Sequence, residues 1–251
     1  MEKVNEKNKE GKLPDKILAF DSSTRRGSLA LFIPSTDEVI EHYTDINKVH
    51  SERLMPSLRF VLDQYGLSLS EIDMIAVAVG PGSFTGLRIA LATAKGLSIS
   101  KGIPVKGIST LEALAYNGFY KDFLICPIVD AGRSKIYFAL YGKKSDKNLI
   151  EIIKPSCGTI DDIVRLLERR KNIFFTGNGI CKYERHLKSK LKRKNLLFAS
   201  EDLQHISAIK IARYAYERIR KGEKYDNVST LLPLYLKPSD AEEKVSADRR
   251  V

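Results

Sequence analysis

Hydrophobic and polar positions along this chain fall into short blocks whose period switches between two and 3.6. Residues 16–20 (K-I-L-A-F) form an apolar run ending at Asp21, and 28–33 form a second after the turn Ser22-Ser23-Thr24-Arg25-Arg26-Gly27. The polar turn at 34–37 leads to a third run at 38–43, and two turns joining three strands predict an antiparallel meander. From His50 to Tyr65 the period changes: Leu54, Leu58, Val61, Leu62 and Tyr65 share one helical face, and Gly66 sits where a C-cap glycine ends it. A β-branched run at 74–79 reads as a strand buried on both faces. A helix at 85–99, a strand at 105–108 and a helix at 110–116 complete the first half.

The second half repeats that order without repeating the sequence. Apolar residues 123–129 end at Asp130 as the first strand ends at Asp21. Strands at 135–141 and 149–153, a helix at 161–170, a strand at 173–175 and the turn Gly177-Asn178-Gly179 come next. A basic helix to about Lys194, a strand at 196–198 and a helix at 206–219 follow. Strand-strand-strand-helix-strand-helix-strand-helix is thus predicted twice, a doubled α/β architecture.

One helix stands out. After Gly80-Pro81-Gly82, with Ser83 or Thr85 as its cap, the 85–99 segment is nearly apolar all round. Leu87, Ala90, Leu91, Ala94 and Leu97 form one face, and Ile89, Ala92, Thr93 and Gly96 a second, small-residue face; Arg88 and Lys95 share one narrow polar stripe. A helix of this kind must be covered on two sides, and its own sheet covers only one. The 50–65 helix also carries apolar residues off its main stripe, Val49, Pro56 and Phe60 with Met55 at the margin. If the two helices lie side by side they present a surface that no remaining segment covers, which marks a partner face; otherwise these residues all face the chain's own sheet and second lobe. Gly86, Ala90 and Ala94, four apart, would admit another helix closely.

Composition narrows the class. An apolar fraction of 43% is globular, and no run approaches the roughly 18 residues a membrane span needs. Residues 1–15 open with a charged stretch lacking an apolar core, which reads as a disordered tail rather than a secretory signal. Cys126, Cys157 and Cys181 form no C-x-x-C pair, as expected of reduced thiols in a cytoplasmic protein. The net charge is +11, and nine of those charges lie between Arg165 and Lys194, where eleven Lys/Arg face two acids. Such a patch is either an RNA-attracting surface or a solvated helical face.

The chemistry on offer is sparse. Gly80, Gly82, Ser83 and Thr85 place backbone N–H groups at a helix start, an anion-binding geometry, or else make only a tight strand-to-helix turn. The spacing is not that of a P-loop. Asp21 reads as a turn or cap residue, and no G-x-S-x-G elbow is present.

The motifs I-L-A-F-D-S-S-T, H-S-E-R-L-M-P, G-P-G-S-F-T-G-L-R and G-I-S-T-L-E-A-L-A resemble the bacterial TsaB (YeaZ) family. The match is dense from Ile17 to Ala115 and thinner at V-D-A-G-R-S-K-I-Y and G-N-G. The resemblance implies two ribonuclease-H-like lobes in actin-like ATPase (ASKHA) topology, at 16–110 and 111–225, with a C-terminal segment and tail at 226–251. It implies a non-catalytic cytoplasmic subunit required for N6-threonylcarbamoyladenosine beside the tRNA anticodon, one that binds and activates its catalytic paralogue, TsaD. The relatives' H-x-E-x-H metal signature reads His50-Ser51-Glu52-Arg53-Leu54 here, with Leu54 for the second His, so no metal site is expected. The partner interface would use His50, Met55, Phe60, Gly86, Ala90, Ala92, Thr93 and Ala94 in a four-helix bundle, or in a homodimer when alone. The ATPase TsaE is a further implied partner, with tRNA reached through the complex. No tightly bound cofactor is implied, and ATP or ADP at the partner interface is left open. The alternative reading is a stand-alone actin-like metal-dependent ATPase or peptidase.

Overall fold

The computed structural model describes residues 12–45, 50–116, 123–144, 148–192 and 194–238; of residues 45, 50–53, 144 and 148 it describes the backbone alone. Residues 1–11 and 239–251, Val49 and Arg193 lie outside the described residues; the last part of the tail expected to be disordered at 1–15 is instead held, with Pro14 buried and the Asp15 N–H donating to Asp73 Oδ2 at 3.1 Å. The first unit runs β1 (Ile17–Asp21), β2 (Arg26–Ile33), β3 (Glu38–Asp45), α1 (His50–Gln64), β4 (Met74–Gly80), α2 (Phe84–Lys101), β5 (Val105–Ser109) and α3 (Thr110–Tyr116). The second runs β6 (Leu124–Gly132), β7 (Lys135–Lys144), β8 (Asn148–Gly158), α4 (Ile160–Leu167), β9 (Asn172–Thr176), α5 (Ile180–Lys190), β10 (Asn195–Phe198) and α6 (Ala208–Arg220).

Each unit makes one five-stranded sheet with the same order: β3-β2-β1-β4-β5 in the first, and β8-β7-β6-β9-β10 in the second. The first three strands of each pair antiparallel as the meander requires, and the later two join in parallel through helical crossovers. This is the ribonuclease-H-like order twice over, in actin-like arrangement.

Alternation along the strands shows what covers each face of the first sheet. Leu18, Phe20, Leu29, Leu31, Ile75 and Val77 pack with Leu58, Val61 and Leu62 of α1 and with Leu91, Ala94 and Leu97 of α2. Ile17, Ala19, Ala30, Phe32, Met74 and Ala76 point the other way, into the core shared with the second lobe. Every residue of β1 is buried, so the run K-I-L-A-F lacks polar alternation for a physical reason.

The helices between the lobes are exchanged. α6 follows the second sheet in the chain yet lies across β1, β2, β4 and β5 of the first, while α3 lies across β6, β7 and β8. Polar groups fix this arrangement. The first N–H groups of a helix lack intrahelical acceptors, and here the first lobe supplies them. Ser28 Oγ accepts from the Ala208 N–H at 2.9 Å, and Glu41 Oε1 accepts from the Ile209 N–H at 3.2 Å and from Ser207 Oγ at 2.8 Å.

Beyond α6 the chain crosses back to the first lobe. The Asp226 N–H donates to the Val105 carbonyl at 2.9 Å, and the Leu234 N–H to the Val79 carbonyl at 2.7 Å. Lys106, buried on β5, donates to the Lys224 carbonyl at 2.9 Å and pairs with Glu223 and Asp226 at 3.3 and 3.6 Å. The segment 224–238 is therefore a strap along the ends of β4 and β5, not a loose tail.

Two helices are shorter than their apolar pattern predicts. α4 stops at Leu167 instead of 170, and Lys194 Nζ donates to the carbonyls of Glu168 and Arg170 just beyond it. α5 stops at Lys190 because the chain must reverse before β10 pairs with β9.

Candidate partner surface and glycine loop

The loop after β4 is shaped by the chain's own first turn. The Ser83 N–H donates to the Ser23 carbonyl at 2.6 Å, and Ser22 Oγ donates to the Gly86 carbonyl at 2.7 Å. Ser83 is the cap, its Oγ accepting from the Gly86 N–H at 3.3 Å. A Cβ on Gly82 would lie 2.4 Å from the Ser23 carbonyl oxygen, and one on Gly86 only 1.8 Å from that of Ser22. Gly80, with φ +109°, is closed in by Leu87 and the Leu234 carbonyl. The glycines thus allow the approach of this chain's own Ser22–Ser23 backbone, which fills the space in front of the loop. The residues present do not fit a phosphate cradle at Gly80, Gly82 and Ser83; of the four named for an anion, Thr85 is exposed and outside this packing. The tight-turn reading is the one the geometry supports.

Asp21 ends β1 beside this turn and is buried. Its Oδ1 accepts from the Ser23 N–H at 2.9 Å, the turn role expected of it. Its Oδ2 and Ser23 Oγ are buried without a hydrogen-bond partner among the described residues. Burial raises the carboxyl from 3.8 to about 6, with the hydrogen bond from the Ser23 N–H opposing it. The folded chain therefore holds this proton more tightly than the unfolded chain does. Stability contributed by the protonated group is complete below pH 4 and falls as pH rises to about 6. Asp21→Asn keeps the Oδ1 acceptor and removes the charge. It is expected to stabilise the fold at pH 7.5 by up to about 3 kcal/mol and to flatten the pH dependence between 4 and 6. Urea unfolding of both proteins across that range checks this; a variant less stable than wild type at pH 7.5 would sink it.

On the outside of the first sheet, α1 and α2 lie side by side. The buried side of α2 is Gly86, Leu87, Ala90, Leu91, Ala94, Leu97 and Ser98. The outer side is Arg88, Ala92, Gly96 and Ile99, with Ile89 and Thr93 half-buried at its margins. This corrects part of the expected interface. Gly86, Ala90 and Ala94 share a face because they are four apart, but that face meets β1, β4 and the Ser22 turn, leaving no room for another molecule. Ala92 and Thr93 are on the accessible side, as expected. So are Met55 and Phe60 of α1, 49% and 48% exposed, with Pro56 between them. His50 is the first residue of α1, and its side chain lies outside the described residues.

Two features of this face were not legible in the sequence. Ile99 is 73% exposed near the end of α2, extending the apolar strip of Ala92 and Gly96. At the other end, Tyr235 of the strap stacks on Phe84 with ring centroids 4.4 Å apart. Arg88 covers the Phe84 ring at 4.0 Å and donates from Nε to the Tyr235 hydroxyl at 3.0 Å. No local signal pairs residues 147 positions apart.

A protein-family model described as TsaD, tRNA N6-adenosine threonylcarbamoyltransferase, matches residues 44–245. The TsaB protein of Bacillus subtilis (strain 168), described as a tRNA threonylcarbamoyladenosine biosynthesis protein, is 33% identical over 230 residues, spanning 91% of this chain and 96% of that protein. The chain belongs to the TsaB (YeaZ) family. The TsaB of Buchnera aphidicola subsp. Schizaphis graminum is 31% identical over 198 residues, covering 74% of this chain and 89% of that protein. The solved structure of YeaZ from Pseudomonas aeruginosa superposes with a TM-score of 0.72 at 26% identity, covering 88% of this chain and all of that one. The TsaB-type fold thus extends through the second lobe, where the sequence motifs are thin. Among the described residues of this TsaB-family chain, no three His, Cys, Asp or Glu side chains gather as a metal site would require. No described helix is long and apolar enough to cross a membrane.

Proposed function

We propose that this chain serves tRNA N6-threonylcarbamoyladenosine formation as a non-catalytic subunit, docking through the exposed α1–α2 face onto a catalytic TsaD-type paralogue. The observation that carries the reading is that face itself. Met55, Pro56, Phe60, Ala92 and Ile99 leave apolar and small side chains uncovered on two adjacent helices of an otherwise well-packed lobe. The family names supply the pathway, since the relatives are described by tRNA threonylcarbamoyladenosine biosynthesis. Leu54, half-buried where the signature of the catalytic TsaD-type paralogues places a second metal-binding His, supports the absence of chemistry in this subunit. The filled glycine loop supports it as well, because the reading needs no nucleotide held there.

The chemistry then belongs to the paralogue, and this chain's contribution is positional. α2 is capped at Ser83, closed at Gly102 with φ +66°, and packed along its whole inner side, so it offers a rigid surface. Docking onto such a preformed face costs little ordering entropy. The test is reconstitution. Purified chain, paralogue, tRNA and threonylcarbamoyl-adenylate are expected to give modified tRNA, with no product when this chain is omitted and none when it is the sole protein. ATP or peptide hydrolysis by the isolated chain, abolished by His50→Ala, would overturn the reading in favour of a stand-alone enzyme.

A further inference from the structure

We propose that α5 and the chain ends entering β9 and β10 form an RNA-binding surface that holds the phosphate backbone of the tRNA while the α1–α2 face holds the paralogue. The choice of RNA as the polyanion rests on the proposed role in tRNA modification. The surface itself rests on which charges the fold leaves without work.

Basic residues in this region have two ordinary roles, ion pairing and neutralising helix C-termini. Arg165 pairs with Asp162, Lys188 with Glu184, and Lys182 with Asp130 at 3.8 Å. Lys194 donates to the carbonyls that follow α4. Among the described residues six cations remain: Arg169, Arg170, Lys171, Arg185, Lys190 and Lys192. All are exposed, and none has an ion pair within the described chain. Nine of the chain's net eleven positive charges fall in this one segment, so the rest of the molecule is close to neutral.

The fold gathers these six. β9 and β10 are parallel, with Asn172 beside Asn195, so the chain ends entering both strands lie at one edge of the second sheet. The Asn195 N–H donates to the Lys171 carbonyl at 3.1 Å, which fixes Arg169–Lys171 beside the end of α5. Along α5, Lys182, Arg185 and Ser189 recur at spacings of three and four, opposite the buried Ile180 and Leu187, and Lys192 follows just beyond the helix end. From Lys182 to Ser189 the stripe runs about 10 Å, and a nucleic-acid duplex presents roughly one phosphate charge per 1.7 Å, enough for several contacts at once. Holding like charges this close is unfavourable in the free protein, and a polyanion relieves it.

The chemistry of the face selects backbone binding. Leu166 is the one large apolar side chain exposed on α4 or α5, so the face lacks the apolar anchors of a membrane-surface helix. It also presents no exposed aromatic on which bases could stack. Its binding should be salt-sensitive and indifferent to sequence. The paralogue face does not compete, because α1 and α2 cover the side of the first sheet turned away from the second lobe.

The test compares the full chain with the variant R169Q/R170Q/K171Q/R185Q/K190Q/K192Q, alone and with the paralogue. Fluorescently labelled tRNA is titrated between 50 and 300 mM KCl. The slope of log affinity against log salt is expected to fall by about four to five, at 0.7–0.9 per lost phosphate contact, with at least tenfold weaker binding at 100 mM. Should the sixfold variant not fold, R169Q/R170Q/K171Q and R185Q/K190Q/K192Q are measured separately, each expected to lower the slope by about two. An unchanged slope would overturn the inference. So would wild-type binding to phosphatidylserine vesicles without binding to tRNA. Paralogue capture is read in the same samples and should be equal for wild type and variant. Its loss in the wild type would count against the proposed function, and the slope would still decide the RNA surface.

Discussion

Gly86→Ala is expected to destabilise the chain by about 3–5 kcal/mol, whereas Gly96→Ala, ten residues along the same helix, should stabilise it by about 0.5–1 kcal/mol. Both substitutions favour helix by propensity, so their difference isolates packing. At Gly96 a new Cβ meets nothing within 4 Å. At Gly86 it would sit 1.8 Å from the Ser22 carbonyl oxygen, which is backbone and cannot rotate away. Relief requires α2 to part from the β1–β2 turn. That breaks the Ser22 Oγ to Gly86 carbonyl bond and the Ser83 N–H to Ser23 carbonyl bond, at roughly 1 kcal/mol each. The sum is a large part of the 5–15 kcal/mol typical of a domain. Urea unfolding of the three proteins measures it. Equal stabilities for Gly86→Ala and wild type would mean that the turn is not held against α2.

Ala92→Glu is expected to leave the fold unchanged and abolish capture of the paralogue, while Ala90→Glu should unfold the chain. The two alanines lie two positions apart on α2, but Ala90 is fully buried against the first sheet and Ala92 is exposed. A carboxylate at 90 has no water and no cation, a cost of several kcal/mol that is paid in folding. A carboxylate at 92 is solvated in the free chain and becomes desolvated only when a helix docks on it. Stability should then change by less than about 0.5 kcal/mol, and affinity should fall at least 100-fold, or about 3 kcal/mol. Co-purification and thermal melts of both variants read this out. Normal capture by Ala92→Glu would move the interface off this face.

The local grammar of the chain was legible without coordinates. Periods of two and 3.6 placed the strands and helices in order, Ser83 and Gly66 marked helix ends, and Leu87, Ala90, Leu91, Ala94 and Leu97 formed the inward side of α2 as their spacing requires. These signals depend on neighbours within one or two turns, so residue order alone sets them. The count of charges between Arg165 and Lys194 was equally plain.

Only tertiary structure decided what each face meets. A four-residue spacing puts Gly86 in line with Ala90 and Ala94, which suits a docking helix and an adjacent turn equally. The turn that fills the space comes from Ser22, 64 positions earlier. Tyr235 on Phe84, Glu41 and Ser28 at the start of α6, and the crossing of α6 onto the first sheet likewise join residues about 100 or more positions apart. Among the cations, the Arg165–Asp162 and Lys188–Glu184 pairs lie within one helical turn, whereas the Lys182–Asp130 pair and the Lys194 contacts beyond α4 form only when distant segments meet. Periodicity states that a surface must be covered. Chain connectivity and the packing of distant segments determine what covers it, and which surface is left for another molecule.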